Sequence, residues 1–273
     1  MNSGRFSGRS QDATAFAAAA AVATLGGLIG LGGAEFRLPL LIGLFGFVAL
    51  EAVVLNKAIS LVVVAAALPL RAQSVPFEAL AAHWTVIVNL LAGSLSGAWL
   101  GAGWATRMRG ETLHRVIAVL LLVIAAALLV GHDPAGAGRP LVQGHAQMIG
   151  GMAAGFGIGV VAALLGVAGG ELLIPTLALL FGADIKLAGS LSLAISLPTM
   201  IVGFARYSRV ASFAVLARRR RFLAVMALGS LAGAFVGGQL LGIVPGAVLL
   251  PLLSAILVVS AIKVWRPHLD RSH

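Results

Sequence analysis

Long apolar runs separated by short clusters of charge, proline or glycine make up most of the chain. They fall at 13–31, 36–50, 53–70, 84–106 and 112–131. After a polar connection over 132–146 they resume at 147–167, 172–184, 187–205, 221–241 and 247–265. A helix rises about 1.5 Å per residue, so a run of about 20 apolar residues matches a hydrocarbon core of about 30 Å. The pattern therefore predicts an all-α polytopic membrane protein. Runs 36–50 and 172–184 are short for a span, and each is read as a tilted half-helix or a re-entrant segment. Polar tails, 1–12 and 266–273, flank the ten runs. The first run has no small-residue cleavage pattern before its glycine-rich end, so it is read as a retained span.

The two sets of five match each other. A shift of 136 residues superposes Gly30, Gly33, Glu35 and Pro39 on Gly166, Gly169, Glu171 and Pro175. The match continues through Phe45-Gly46 and Phe181-Gly182, then Ala58-Ile59-Ser60-Leu61 and Ala194-Ile195-Ser196-Leu197. It extends to Gly93-Ser94-Leu95 with Gly229-Ser230-Leu231, and to Gly110 with Gly246. Leucine and alanine identities carry little weight in such text. A spaced set of glycines, an acid and a proline is far harder to obtain by chance. The chain is expected to hold two repeats, 13–131 and 147–265.

Composition narrows the class. Hydrophobic residues make up 60% and charged residues 10%, against about 25% charged in soluble domains. That excludes a soluble enzyme. There is no cysteine, which excludes disulfides, zinc-thiolate sites and iron–sulfur clusters. The net charge is +10, but the arginines sit in short loops, where they set membrane orientation. No nucleic-acid partner is expected.

Loop 206–221 carries six arginines and no acid, whereas its counterpart, 71–83, has Arg71 balanced by Glu78. Loop 107–115 carries Arg107, Arg109 and Arg115, whereas its counterpart near Gly242–Gly246 is uncharged. The basic bias swaps between halves, the pattern of an inverted-topology repeat with an odd number of crossings per half. Both termini are then expected in the cytoplasm.

The duplicated segment is where chemistry is expected. Gly30 to Pro39 and Gly166 to Pro175 combine consecutive glycines, an acid and a proline, and are read as helix breaks marked by Gly30, Pro39, Gly166 and Pro175. Freed backbone groups at membrane depth must face protein or a watered cavity. The helix that opens after each break offers a partly positive N-terminus to an anion. Gly32, Gly33, Gly169 and Gly170 are the candidate backbone ligands. Glu35 and Glu171 are two of only nine acids, and an intramembrane acid is by default a functional residue. Each is a candidate for substrate contact and for carrying a proton, or simply a helix N-terminal cap.

Arg37 has no basic counterpart, since Leu173 stands at that position. It is a candidate anion ligand, a partner for Glu35, or an interfacial residue. Asn56, Lys57 and Ser60, with Ser192 and Ser196, form a polar stripe on the helix after each break. Gly93, Gly97 and Gly101, like Gly229, Gly233 and Gly237, recur at helical spacing without polar neighbours and read as helix packing. No His/Asp/Glu set has metal-ligand spacing, and no cofactor is expected.

At the duplicated breaks the sequence resembles the sulfite exporter TauE/SafE (TSUP) family of membrane transporters. The resemblance rests on Gly30 to Pro39 and Gly166 to Pro175, with the later Gly46 and Gly182, and covers about 14–265. Ala34 and Ala168 depart from the family's glycine pattern, and a Glu stands in each copy. The resemblance implies a multi-pass bacterial inner-membrane transporter, not an enzyme, whose substrate is a small sulfur-containing anion such as sulfite or an organosulfonate. Alternating access, possible proton coupling and export are the expected mode. An anion channel, a cation carrier using Glu35 and Glu171, and a membrane partner of a sulfur-metabolising enzyme stay open as alternatives.

Overall fold

The computed structural model describes residues 8–27, 33–71, 77–130, 140–240 and 246–265. Among them there are helices and no strands. The first half comprises α1 (Gly8–Gly27), α2 (Ala34–Gly43), α3 (Ala49–Arg71), α4 (Phe77–Ala82), α5 (Trp84–Arg107) and α6 (Gly110–Val130). The second comprises α7 (His145–Leu165), α8 (Gly170–Phe181), α9 (Ile185–Tyr207), α10 (Val215–Arg218), α11 (Arg220–Gln239) and α12 (Gly246–Trp265). Ala34 and Gly170, Ala49 and Ile185, Trp84 and Arg220, and Gly110 and Gly246 open corresponding helices, each pair 136 residues apart. Among the described residues, five helices are long and apolar enough to cross a membrane, and α8 is shorter. Large apolar side chains such as Trp84, Ile149, Leu228 and Phe235 are exposed on the outside, as contact with lipid tails requires.

The halves exchange helices. α5 lies along α7, and in the corresponding way α11 lies along α1. Glycine makes both contacts possible. A Cβ added at Gly93, Gly97 or Gly101 would overlap the main chain of Met152, Phe156 or Val160. One added at Gly229, Gly233 or Gly237 would overlap that of Phe16, Ala20 or Thr24. Those three contacts are again 136 residues apart, and they run in register, so each pair of helices is parallel. The receiving faces are also small: Gly151, Gly155 and Gly159 on α7, and Ala15, Ala19 and Ala23 on α1. Small residues on both sides let backbones approach where apolar burial gives no advantage over lipid. The packing reading of these glycines holds.

Contacts between helix ends define two faces. Asp12 at the start of α1 pairs with Arg221 of α11 at 2.7 Å, and Glu51 of α3 pairs with Arg218 at 2.5 Å. Phe45 and Phe47, after α2, pack on Phe222. Arg206 and Arg209, at the end of α9, stack over Trp99 of α5. Thus α1 begins and α2 ends at the arginine-rich face. The start of α7 lies instead beside the end of α8, where Leu141 N–H donates to Leu179 O (2.9 Å) and Gln147 Nε2 to Leu180 O (2.6 Å). α9 runs from that end to the arginine-rich face, so the second helical hairpin opens on the opposite side.

Three details differ from expectation. Run 36–50 is helical only to Gly43. The chain then bends through Gly46, whose φ of 70° is left-handed, and α3 starts at Ala49 rather than 53. Two short helices, α4 and α10, form in the polar connections. Pro39 and Pro175 do not lie at the breaks but inside α2 and α8, at the sixth position of each. Glycines in left-handed conformation make the breaks. Each proline lacks an N–H, so the carbonyl four residues earlier, that of Glu35 or Glu171, loses its helical donor.

Candidate functional site

The site lies where the two breaks meet. Gly33 and Gly169 precede α2 and α8 with φ of 66° and 84°, and Gly166 closes α7 with φ of 67°. Only glycine adopts this region without strain. At Gly33 a Cβ would also overlap Val22 O, and at Gly166 it would overlap Val53 O. Gly170 is the first residue of α8. Gly30 and Gly32 lie outside the described residues.

Asn56, on α3, joins the two breaks. Its Nδ2 donates to Ala34 O at the start of α2 and to Leu165 O at the end of α7, each at 3.0 Å. Its Oδ1 accepts from Arg37 Nε at 2.8 Å. Both amide donors thus meet carbonyls, which fixes the amide's orientation.

Arg37 is fully buried. Besides Asn56 it donates through Nη2 to Ser60 Oγ (2.6 Å) and through Nη1 to Ser230 Oγ on α11 (2.8 Å). Every one of these acceptors is neutral. The ion pairs among the described residues are the two at the arginine-rich face, so of the alternatives for Arg37 a direct ion pair with Glu35 is not present.

Lys57 is also fully buried, and Nζ donates to Ala162 O (2.9 Å) and Val167 O (3.4 Å). Tyr207 OH donates to Ala163 O at 3.0 Å. The last carbonyls of a helix lack intrahelical partners and carry partial negative charge. At the end of α7, the backbone N–H groups of Gly166 and Val167 already donate to Ala163 O and Ala162 O. Tyr207 and Lys57 add second donors to those carbonyls, and Asn56 supplies one to Leu165 O. Ser196 Oγ donates to Ala168 O at 2.8 Å, within the break itself. Ser192 instead bonds to Gly189 O of its own helix at 2.8 Å, the usual habit of serine in an apolar helix.

Glu35 and Glu171 stand in the first turns of α2 and α8, the two helix N-termini that approach each other. The two carboxyl groups lie within electrostatic reach of each other, and Glu35 also lies within reach of Arg37. Both are buried, and both oxygens of Glu35 and Oε2 of Glu171 have no hydrogen-bond partner. The N-cap residues themselves are Gly33 and Gly169, and the unpartnered carboxyl oxygens make no capping hydrogen bond to the backbone.

Sequence reasoning missed Ser230 and Tyr207 as members of the cluster. Ser230 had a visible signal, since Ser94 and Ser230 recur beside the glycine stripe in both halves. Ser94 in fact bonds to Thr199 on α9 at 2.7 Å, the counterpart of the reach of Ser230 from α11. Tyr207 had none.

An open cleft of about 1770 Å³ lies between α2, the start of α6 and α12. Phe36, Pro39, His114, Arg115 and Lys263 are among its lining residues, and Glu35 and Arg37 are not.

No curated protein and no solved structure is significantly similar to the chain. The family model described as "Sulfite exporter TauE/SafE" matches residues 15–264. With that match over nearly all of its 273 residues, and with the duplicated glycine breaks at the centre of an apolar helical bundle, the chain belongs to the TauE/SafE sulfite exporter family of membrane transport proteins.

Proposed function

We propose that the protein is a secondary transporter, in the exporting sense, of a small sulfur-containing anion such as sulfite or an organosulfonate. The observation that carries this reading is the convergence on Asn56 of α2 and the break before α8, beside two buried cations that no carboxylate hydrogen-bonds. Helix N-termini attract anions through free N–H groups and the helix dipole. Arg37 and Lys57 add positive charge without occupying an ion pair. The candidate ligands are the backbone at Gly32, Gly33, Gly169 and Gly170, with Arg37, Asn56, Lys57, Ser60 and Ser196 shaping the site. Ser192 contributes least, its hydroxyl being bonded locally.

The two halves act as inverted-topology repeats in a bacterial inner membrane, with both termini and the arginine-rich face in the cytoplasm. The charge bias of the loops supports this, as do the opposite openings of the α1–α2 and α7–α8 hairpins. Rocking of one repeat against the other then exposes the site alternately to each side. The cleft flanked by Phe36 and Pro39 is the access route from the cytoplasmic face. Glu35 and Glu171 carry the coupling proton.

The test is counterflow of labelled sulfite in proteoliposomes, competed by sulfonates, thiosulfate, sulfate and acetate. Saturable uptake suppressed by one or more sulfur anions is expected. A conductance without saturation or counterflow would replace the carrier with a channel. A second reading, a cation carrier, draws on the unpartnered oxygens of Glu35 and Glu171. Uptake of a labelled alkali cation with no sulfite counterflow would favour it.

A further inference from the structure

Among the described residues, four ionisable side chains of acidic or basic type are buried: Glu35, Arg37, Lys57 and Glu171. All four belong to the one cluster where the breaks meet. With every group ionised, two positive charges balance two negative ones. None of the four is spent in a hydrogen-bonded ion pair, so the balance is a property of the cluster rather than of separate bridges. The helices packed on α2 are α1, α3 and α12, and those packed on α8 are α6, α7 and α9. From these the interior receives only Lys57 and the phenol of Tyr207, with Arg37 from α2 itself. Their other ionisable groups, such as Asp12, Glu51, Glu111, His114, Lys186 and Lys263, sit in end turns and are not buried.

A sealed, low-dielectric interior tolerates no unbalanced charge. With all four groups ionised, the empty cluster is neutral and can be enclosed as it stands. Enclosing a monovalent anion alone would leave one excess negative charge. Enclosing it with one proton on the Glu35–Glu171 pair restores neutrality, and the pair offers unpartnered oxygens to hold that proton. We infer that the protein moves one proton together with each monovalent anion, in the same direction, through the Glu35–Glu171 pair.

Resting on the transport reading above, this deepens it in two respects. The carrier crosses the membrane neutral both loaded and empty, so the membrane potential neither drives nor opposes it. The anion's own gradient and the pH difference set the direction, so export proceeds when the outward anion gradient exceeds the opposing pH difference. A monoanion is balanced by one proton on the carboxyl pair, whereas a dianion would need both carboxyls protonated.

The experiment uses the full-length protein in proteoliposomes holding a pH-sensitive dye, with labelled methanesulfonate and, separately, sulfite as probes. Methanesulfonate stays a monoanion at any working pH and has no neutral form that leaks through lipid. An outside-acid pH step should drive accumulation, with about one proton entering per methanesulfonate. A potassium diffusion potential of either sign should leave the initial rate unchanged. The variant Glu171→Gln balances an anion without a proton; its proton-to-anion ratio should fall toward zero and its uptake should become sensitive to voltage.

Accumulation by the wild type that follows voltage, with no proton entry, would overturn this inference while leaving the transport reading intact. Absence of counterflow for both probes, in protein that elutes as a folded species, would overturn the transport reading and this inference together. Because the wild type alone supplies the stoichiometry, failure of the variant to fold does not remove the test.

Discussion

In the first half, α2 carries Arg37, and α3 carries Asn56 and Lys57; the corresponding positions of the second half are Leu173, Ser192 and Leu193. The described helices correspond in order, yet both buried cations come from one half. The second half contributes both acceptors of Lys57 and one of the three of Arg37. Lys57 reaches Ala162 O and Val167 O around the end of α7, and Arg37 reaches Ser230 on α11. Duplication therefore supplies two half-helix N-termini and a paired acid. Divergence at three positions then ties the halves together and gives the site its cations. On the alternating-access mechanism proposed above, the symmetric scaffold is what inverts and the asymmetric charge is what holds the substrate.

The comparison can be broken most severely at the first glycine. Gly33 and Gly169 are equivalent, but a Cβ at Gly33 would overlap Val22 O, whereas at Gly169 it meets Ile158 Cγ2 at 3.1 Å and Ala162 Cβ at 3.4 Å. The left-handed conformation costs a non-glycine residue about 1–2 kcal/mol in both; the backbone overlap is added only at Gly33. Gly33→Ala should abolish accumulation of folded protein, and Gly169→Ala should yield folded protein with a lowered melting temperature. Gly43→Ala, at a site with nothing within 4 Å, is the control. Equal yields of the two glycine variants by fluorescence-detected size exclusion would show that the two breaks are not as different as described.

Arg37→Leu copies the second half into the first. It strips donors from Asn56 Oδ1, Ser60 and Ser230, and the expected loss is on the order of 2–3 kcal/mol together with loss of sulfite counterflow. Stable protein with unimpaired counterflow would remove Arg37 from the site. Lys57→Leu does the same at the end of α7, where two carbonyls lose a donor, for about 1–2 kcal/mol. Its effect should show as a lower melting temperature and a weaker apparent affinity for sulfite; an unchanged affinity would confine Lys57 to a structural role.

The smallest effect is expected at the face. Arg218→Ala removes a bridge to Glu51 whose arginine side chain is 63% exposed, and such pairs are worth about 0–1 kcal/mol. A melting curve shifted by more than a few degrees would mean that the loop 206–221 holds the bundle together more than its geometry indicates.

Much of this arrangement was readable from the chain. Glycine, proline and an acid are conspicuous in apolar text, so the breaks, the 136-residue repeat and the Glu35–Glu171 pair stood out. Arg37, Asn56, Lys57, Ser60 and Ser196 were legible for the same reason. The partners of those groups were not. Arg37 and Ser230 are 193 residues apart in sequence, and helical periodicity reveals a small-residue face without saying which helix receives it. The exchange of α5 onto α7 and of α11 onto α1 is thus a tertiary fact. Pro39 and Pro175 misled because proline is the familiar helix breaker. Here the glycines make the turn, and the prolines act within the new helix by freeing the carbonyls of Glu35 and Glu171.

The central claim, that the two breaks meet at one point and form the anion site, is most directly tested by cross-linking in native membranes. The chain has no cysteine, so Glu35→Cys combined with Glu171→Cys gives the only reactive pair. Asp12→Cys with Arg221→Cys, residues paired in the structure, is the positive control. The account predicts rapid cross-linking of the Glu35/Glu171 pair by a short bifunctional thiol reagent, slowed by added sulfite. Failure to cross-link while the control pair does, or cross-linking that sulfite leaves unchanged, would contradict it.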